Sequence, residues 1–362
     1  MVSKPDTSKP LHTVRLQPTG TEFGVYEGET VLNAGFRQGV ALIHGCKEGQ
    51  CSACKAVLLD GDAEMLKYST FALPESERDS NHVLLCRTIP FSDLEIELLM
   101  FDEELLSHSV AVSEFSGKVE TVEALTQDIR RLVLSLDRPM TFFAGQYADI
   151  TLPDRSTTRS YSMGNPPSDP SRLEFIIKKY SGGRFSSRLD GDLAKGAKVA
   201  VSGPYGTCFR REHRDDAPLV LIGGGSGLAP LLAILEDQIA EAPQRQIRLY
   251  YGARTQADLF WLDRFQSLEA ELPDFRFIPA LSAAADDKQW EGERGFIHEV
   301  VQRGLRAESI GDGADAYACG PPPLIDAVLP VLQMAGVEPE RIYFDKFTPA
   351  TNNEKVEEET AL

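Results

Sequence analysis

The sequence lacks any apolar run that approaches the ~20 residues needed to span a membrane as a helix. Its first residues, MVSKPDTSKP, also lack the apolar core of a secretory signal peptide. We therefore expect a cytoplasmic protein with no membrane partner.

Positive charge is scarce as well. The chain has 37 Lys and Arg against 55 Asp and Glu, which gives a formal net charge of −18. A chain of this charge repels nucleic acid and anionic membranes, so neither is expected as a partner. Residues 1–110 hold 17 acidic and 9 basic side chains. This local excess favours either plain solubility or steering towards a basic protein partner.

Cysteine is rare but clustered. The chain has 6 cysteines in 362 residues, which is not the composition of a secreted disulfide framework. Cys46, Cys51 and Cys54 form the pattern C-x4-C-x2-C, and Cys86 follows downstream. This is the spacing of plant-type 2Fe–2S ligands, and iron in a sulfide cluster prefers soft thiolates. We predict that these four cysteines hold a 2Fe–2S cluster.

Two other interpretations of the cysteines are a structural zinc site and buried free thiols. Zinc sites usually pair two C-x2-C units, which this loop does not do. A Rieske centre also needs two histidine ligands, and no C-x-H sequence occurs in the chain. His44, just before the loop, is expected to be structural.

The pattern of elements predicts a multidomain protein. Residues 1–108 contain a hairpin around Pro18–Gly20, a short helix, the cysteine loop and a closing strand. Residues 109–215 read as several short strands, which predicts a small antiparallel β-barrel. Residues 216–348 alternate strand and helix, which predicts a doubly wound parallel α/β sheet. The polar tail 349–362 is predicted to be disordered.

The predicted barrel carries RSYSMGN on one strand. Arg159 can neutralise a phosphate, Tyr161 can lie along a flavin ring, and Ser162 can hydrogen-bond the ring edge. About twenty residues further on, SGGRFSSRL offers backbone N–H groups for a pyrophosphate. The candidates there are Gly182, Gly183 and Ser186. Taken alone, RSYSMGN could also be an ordinary exposed strand, and SGGRFSSRL could also be an ordinary loop.

The α/β segment contains GGGSGLAP between a strand and a helix, which suits a dinucleotide phosphate. Leu228 stands where the G-x-G-x-x-G fingerprint needs its third glycine, and no acidic residue lies about twenty residues further on at the end of a strand. A plain Rossmann dehydrogenase is therefore disfavoured, and a glycine-rich turn without ligand stays open. The candidate ligand residues are Gly223, Gly224, Gly225 and Gly227.

A second motif, ACGPPP, opens the last predicted helix. Cys319, Gly320 and Pro321 would lie at the carboxyl end of a parallel strand, where ligands bind in such folds. A small buried residue is the alternative for Cys319. Phe347, in the closing YFDKF, either covers a flavin face or belongs to the core.

Together the three segments resemble the iron–sulfur flavoprotein reductase components of bacterial soluble diiron monooxygenases, the methane, propane, alkene and phenol systems. EGQCSACK, KYSTFALP and YFDKFTP are similar to that branch. The resemblance implies a β-grasp plant-type ferredoxin domain, an FAD-binding barrel and a nicotinamide domain. It also implies FAD rather than FMN, NADH as the electron donor and a diiron hydroxylase as the protein acceptor. The cysteines, the flavin motif and both nicotinamide motifs match the family residue by residue.

The predicted function is that of an NADH-dependent reductase, which passes electrons through FAD and the 2Fe–2S cluster to the hydroxylase. No covalent nucleophile or general base is required, so no catalytic side chain is predicted. None of the six histidines has a glutamate three residues earlier, so a Glu-x-x-His diiron site must lie on another polypeptide. Arg254 favours NADPH and Asp258 opposes it; the resemblance favours NADH.

Two alternatives remain open. The first is the reductase of a Rieske-type aromatic dioxygenase, which has the same domains and cofactors. The second is a non-enzymatic metal-binding or redox-sensing protein, in which the glycine-rich loops are purely structural.

Overall fold

The computed structural model describes residues 10–107, 110–211, 214–283 and 289–347. They belong to two compact units, one within Met1–Glu123 and Arg130–Arg210, the other within Ala124–Ile129 and Arg211–Leu362. The tail predicted for 349–362 lies outside the described residues.

The first unit begins with a five-stranded sheet in the order β2–β1–β7–β3–β5, beside a two-stranded sheet of β4 and β6. The elements are β1 (His12–Gln17), β2 (Glu22–Val25), α1 (Val31–Arg37), β3 (Lys55–Asp60), β4 (Ala63–Met65), α2 (Glu75–Arg78), β5 (His82–Leu84), β6 (Thr88–Pro90), β7 (Leu94–Leu98) and α3 (Glu103–Ser107). The predicted hairpin is β1 with β2, paired antiparallel, and the predicted closing strand is β7.

Helix α1 starts where the sequence predicts a short helix. The hydroxyl of Thr30 accepts a hydrogen bond from the Asn33 N–H, which caps the first turn. The apolar side of α1, including Val31, Leu32 and Phe36, is buried in the core of this sheet. The helix thereby fixes the point from which the cysteine loop departs.

The second half of the first unit is a six-stranded antiparallel sheet in the order β11–β10–β13–β8–β9–β12. Its strands are β8 (Ser113–Ala124), β9 (Ile129–Leu136), β10 (Tyr147–Thr151), β11 (Thr158–Ser162), β12 (Arg172–Lys178) and β13 (Lys198–Tyr205). An antiparallel bridge between Met163 and Phe175 joins the two end strands, so the sheet nearly closes on itself. The predicted small barrel is confirmed.

The second unit is built on a parallel sheet in the order β17–β16–β15–β14–β18–β19. Its elements are β14 (Leu219–Gly224), α4 (Leu228–Glu241), β15 (Ile247–Ala253), α5 (Leu262–Glu271), β16 (Phe275–Leu281), β17 (Glu293–Arg294), α6 (Ile297–Glu308), β18 (Asp315–Gly320), α7 (Pro322–Met334) and β19 (Ile342–Lys346). The predicted doubly wound sheet is confirmed. Strands β14, β15 and β18 are buried along most of their length, as expected when helices cover both faces.

One predicted helix begins later than expected. The sequence of residues 258–270, DLFWLDRFQSLEA, predicts one continuous helix, but α5 starts only at Leu262, because Trp261 adopts a left-handed conformation with φ of 57°. Asp258 instead accepts hydrogen bonds from the N–H and the hydroxyl of Thr255, both at 2.9 Å, and so caps a separate 3-10 turn.

In the described ranges, no helix combines the length and the apolar character that crossing a membrane would need.

Candidate electron-transfer site

The loop between α1 and β3 carries three of the four predicted ligands. Strand β3 pairs antiparallel with β5, with Lys55 opposite Leu84. This pairing brings Cys54, which precedes β3, next to Cys86, which follows β5. Both cysteines are buried, whereas Cys51 is exposed. The fold therefore unites the distant cysteine with the loop, as the spacing predicts.

Backbone amides of the loop point at the sulfur atoms. The Cys46 N–H donates to the Cys51 Sγ at 3.2 Å, and the Gln50 N–H donates to the Cys46 Sγ at 3.2 Å. The loop reaches this geometry through left-handed residues at Lys47, Gly49 and Ser52, with φ of 58°, 72° and 61°. Amides aimed at sulfur stabilise thiolates and tune the potential of a bound cluster.

The four thiols interact as two pairs. A hydrogen bond with Cys51 lowers the pKa of Cys46 to about 5, helped by the amides of Gln50 and Glu48, and the same bond raises the pKa of Cys51. A hydrogen bond with Cys86 likewise lowers the pKa of Cys54, and the pKa of Cys86 rises in turn. In each pair the hydrogen bond favours the thiolate of one cysteine, and the thiolate is the form that binds metal.

The pairing fits a two-iron cluster better than a single zinc ion. A structural zinc site needs four ligands around one point, whereas a 2Fe–2S cluster takes four cysteines over two irons. The two hydrogen-bonded thiol pairs match the sharing of four cysteines between two irons.

His44 lies outside this donor set, as expected. One ring nitrogen, Nδ1, contacts the Leu42 carbonyl oxygen at 2.7 Å, and Nε2 contacts the Tyr147 hydroxyl at 3.1 Å. Burial lowers the pKa of His44 to about 4, so the ring is neutral near pH 7.

The flavin motif lies on β11, the edge strand beside β10. Arg159 pairs with Ile150 and Tyr161 with Ala148 across the two strands. The Arg159 guanidinium donates to the Thr158 carbonyl oxygen at 2.8 Å. Arg159 is therefore the candidate residue on this strand for the phosphate of a flavin.

Tyr161 and Ser162 follow on the same strand. Tyr161 packs on the barrel core, with its ring 5.2 Å from that of Phe185, and Ser162 is buried. The two residues thus place an aromatic ring and a hydroxyl beside the arginine, in the order that the flavin motif predicts.

In the predicted pyrophosphate loop, Gly183 is tightly packed against neighbouring atoms, whereas Gly182 faces open space. A Cβ on Gly183 would lie 2.3 Å from the Ser186 Oγ, which itself accepts a hydrogen bond from the Tyr180 N–H at 3.2 Å. Gly182 is left-handed with φ of 72°, and a Cβ there would meet no atom within 4 Å. Gly183 and Ser186 thus shape the turn, while the uncovered backbone at Gly182 fits a pyrophosphate. Arg159 and this loop are the two candidate contacts for FAD in the barrel.

Most glycines of the nicotinamide motif are required by packing. A Cβ on Gly223 would lie 2.6 Å from the Leu231 Cδ1, one on Gly224 would lie 2.7 Å from a backbone oxygen of β15, and one on Gly227 would lie 2.2 Å from the Cys319 carbonyl oxygen. Gly225 is the exception, because it is left-handed with φ of 57° and faces open space.

The second nicotinamide motif lies at the same end of the sheet. Strand β18 pairs with β14 so that Cys319 stands opposite Gly223 at the carboxyl ends of both strands. Gly320 follows, and its carbonyl oxygen accepts the Phe347 N–H at 2.8 Å. Pro321 caps α7, and Cys319 is fully buried. The fold therefore groups these residues where ligands bind in parallel α/β sheets.

Three residues near the sites were missed by the sequence reasoning. Asp345 stands opposite Cys319 on β19, and burial raises its pKa to about 6. Lys47 in the cluster loop contacts Asp149 in the barrel. Asp149 carried a weak signal, because aspartate is depleted in strands and this one interrupts the apolar pattern of β10.

Comparison with known families divides the chain into three matching regions. Residues 14–91 match the 2Fe-2S iron-sulfur cluster binding domain, residues 116–209 the oxidoreductase FAD-binding domain, and residues 221–329 the oxidoreductase NAD-binding domain. Fold and site thus define an iron–sulfur flavoprotein oxidoreductase that uses NADH.

Several proteins that this chain is similar to are reductases of oxygenase systems. The propane 2-monooxygenase reductase component of Rhodococcus jostii is 42% identical over 96% of this chain and 94% of its own. The phenol 2-monooxygenase reductase component DmpP of Pseudomonas sp. is 36% identical over 97% of this chain and 98% of its own. The crystal structure of the Amycolatopsis cytochrome P450 reductase GcoB superposes with a TM-score of 0.84 at 31% identity, over 94% of this chain and 100% of that one.

The chain belongs to the family of monooxygenase reductase components. Its cofactors are a 2Fe–2S cluster, FAD and NADH, and its electrons pass from NADH to an oxygenase.

Proposed function

We propose that this chain is the cytoplasmic reductase of a multicomponent diiron monooxygenase and that its protein acceptor is the diiron hydroxylase component. The observation that carries the proposal is the 42% identity to a propane 2-monooxygenase reductase component, which extends through all three domains. The motifs EGQCSACK, KYSTFALP and YFDKFTP support the same branch.

The proposal assigns each predicted residue a role. The cluster ligands are Cys46, Cys51, Cys54 and Cys86. The FAD-binding residues are Arg159, Tyr161, Ser162, Gly182, Gly183 and Ser186. The nicotinamide site comprises Gly223, Gly224, Gly225, Gly227, Cys319, Gly320 and Pro321, and Phe347 is a proposed flavin-covering residue. The proposed domain boundaries lie near residues 108, 215 and 348.

When bound, FAD accepts the hydride of NADH and the cluster carries single electrons. The side chains of this protein bind and orient these groups. Arg159 supplies the positive charge for a phosphate, and the amides of Cys46 and Gln50 direct hydrogen bonds to sulfur. Burial of Cys54 and Cys86 keeps water from half of the ligand set.

The acidic surplus of residues 1–110 supports a protein acceptor with a basic docking face. Complementary charge accelerates the encounter of two proteins, and salt screens it. The rate of electron delivery to the hydroxylase should therefore fall as ionic strength rises.

The test is a reconstituted assay with purified components. This protein is combined with NADH and, separately, with the hydroxylase and accessory proteins of a propane or phenol monooxygenase, a Rieske-type dioxygenase and a cytochrome P450. We expect NADH-dependent hydroxylated product with a diiron hydroxylase at a higher rate than with the other two acceptors. The proposed partner is contradicted if product forms with the Rieske enzyme or the cytochrome P450 but not with the hydroxylase of the propane or phenol monooxygenase.

A further inference from the structure

A largely buried ion pair joins the cluster loop to the barrel within the first unit. The Lys47 Nζ lies 2.6 Å from the Asp149 Oδ2, and the two side chains are only 18% and 17% exposed. Lys47 directly follows the predicted ligand Cys46, and Asp149 lies on β10. The pair therefore links residues 102 positions apart across two domains of one compact unit.

Two tyrosines enclose the ammonium group of Lys47. The Nζ lies 3.7 Å from the centre of the Tyr205 ring and 5.0 Å from that of the Tyr147 ring. The two rings stack on each other with centres 5.5 Å apart. A desolvated ammonium group needs such partners, because an uncompensated buried charge is strongly unfavourable. The site is therefore built for a cation from the loop.

A second contact holds the loop on the other side of Cys46. The His44 Nε2 contacts the Tyr147 hydroxyl at 3.1 Å, and the His44 ring packs edge-on against Phe36 at 4.6 Å. The loop is thus fixed two residues before the ligand and one residue after it.

The backbone at Lys47 is strained in a way that fits this role. Its φ of 58° lies in the left-handed region, which a side chain with a Cβ adopts at an energetic cost. Such conformations persist when surrounding contacts over-determine them, and they concentrate at functional sites. The contacts of Lys47 to Asp149 and the tyrosines supply that constraint.

The ion pair continues to the strand that carries the flavin motif. The Ser160 hydroxyl donates to the Asp149 Oδ1 at 2.5 Å, and Ser160 stands opposite Asp149 between β10 and β11. Ser160 lies between Arg159 and Tyr161. Lys47, Asp149 and Ser160 therefore form a continuous polar connection from the cluster loop to the flavin-binding strand.

We propose that Lys47 and Asp149 form a clamp that holds the cluster loop on β10 and thereby sets the geometry for electron transfer between flavin and cluster. The inference deepens the proposed function and rests on it for the electron path. Lys47 and Asp149 are positioning residues, because neither is assigned a contact with a cofactor.

The test compares two lysines in the intact, cofactor-loaded protein. The variant Lys47→Met keeps the length of the side chain and removes its charge. The matched control is Lys55→Met: Lys55 also follows a cluster cysteine and is also 18% exposed, but its partner Glu77 lies within the ferredoxin domain. Iron content and the visible spectrum first establish that both variants carry both cofactors.

The first readout is hydrogen exchange followed by mass spectrometry. With the clamp removed, we expect faster amide exchange in peptides covering residues 40–52 and 145–152 of Lys47→Met. In Lys55→Met, the barrel peptide 145–152 should exchange as in the wild type. Unchanged exchange in Lys47→Met, or an equal change at 145–152 in both variants, overturns the clamp whatever the enzyme's activity.

The second readout separates the two electron-transfer steps by anaerobic stopped-flow spectroscopy. We expect cluster reduction in Lys47→Met to slow by about tenfold or more, because small displacements strongly affect a transfer that depends on geometry, while flavin reduction by NADH keeps its rate. Lys47→Arg, which keeps the positive charge beside Asp149 and the tyrosine rings, should stay within about threefold of the wild type.

A double-mutant cycle completes the test. In Lys47→Met with Asp149→Asn, cluster reduction should be no slower than in the worse single variant, because both changes break one interaction. The clamp is contradicted if the fold-change in cluster reduction of the double variant equals the product of the two single fold-changes. It is also contradicted if the rate of flavin reduction falls as much as the rate of cluster reduction. If the wild-type protein itself is not reduced by NADH, the proposed function fails, and hydrogen exchange still decides whether the clamp exists.

Discussion

The cluster loop, residues 44–54, and the glycine turn, residues 223–228, are both tight motifs recognised from the sequence, but their residues serve different purposes. In the cluster loop, left-handed residues aim amides at sulfur, so the motif describes a ligand set. In the glycine turn, three of the four predicted glycines are needed because neighbouring atoms leave no room for a Cβ. A motif of reactive side chains thus reports chemistry, whereas a glycine motif first reports close packing.

We expect the largest effect when a predicted cluster ligand is replaced. In Cys86→Ser, the hard hydroxyl replaces a soft thiolate, so we expect loss of cluster iron and a fall of about 100-fold or more in NADH-dependent cytochrome c reduction. Reduction of ferricyanide, which takes electrons directly from flavin, should persist. The control is Cys208→Ser, a buried cysteine outside the loop. Full iron content in Cys86→Ser would show that Cys86 is not a ligand.

The next effect tests whether packing explains the glycine turn. In Gly227→Ala, the new Cβ would lie 2.2 Å from the backbone oxygen of Cys319, which cannot move aside cheaply. We expect a loss of about 3 kcal/mol in the free energy of unfolding, measured by urea titration. A loss below about 1 kcal/mol would mean that the turn is less tightly packed than the structure indicates.

Gly225 provides the contrast in the same turn. A Cβ there meets no atom within 4 Å, so Gly225→Ala suffers only from its φ of 57°. We expect a loss of about 1 kcal/mol in the free energy of unfolding. Because the open backbone is the proposed phosphate contact, the KM for NADH should rise while kcat with ferricyanide changes little. An unchanged KM would remove Gly225 from the proposed site.

The smallest effect concerns Asp345, beside Cys319 at the same sheet edge. Burial raises the pKa of its carboxyl from 3.8 to about 6, so the folded protein binds the proton more tightly than the unfolded chain. The resulting stability is present below pH 3.8 and is lost as pH rises through 6. Asp345→Asn removes this titration, so the variant should be more stable than the wild type at pH 8. Because the Asp345 side chain is partly exposed, we expect its free energy of unfolding to exceed that of the wild type by only about 1 kcal/mol.

The measurement is the free energy of unfolding of wild type and Asp345→Asn between pH 5 and 8. The two curves should differ by a gap that grows through pH 6. Parallel curves across this range would contradict the raised pKa of Asp345.

Much of the fold could be predicted because its signals are local. The turn residues around Pro18–Gly20 indicate the β1–β2 hairpin, a series of short strand-like runs indicates the barrel, and the alternation of strand and helix indicates the parallel sheet. The three-residue strands β4, β5 and β6 were missed, because so few residues show no periodicity. The start of α5 was misplaced, because the left-handed conformation of Trp261 has no sequence signature.

The candidate site also contains residues that the sequence predicts and a contact that it does not predict. Cys46, Cys51 and Cys54 reveal themselves by spacing, and the fold then brings Cys86 to them. The contact between Lys47 and Asp149 could not be predicted, because it joins residues 102 positions apart and depends on how two domains pack.

The most direct test of the central claim is an anaerobic titration of the purified protein with NADH, followed by visible and EPR spectroscopy. The account predicts flavin and iron–sulfur absorption bands that bleach with NADH, together with the rhombic EPR signal of a one-electron-reduced 2Fe–2S cluster. A protein that contains zinc, or whose spectrum does not respond to NADH, would contradict the assignment of this chain as a reductase.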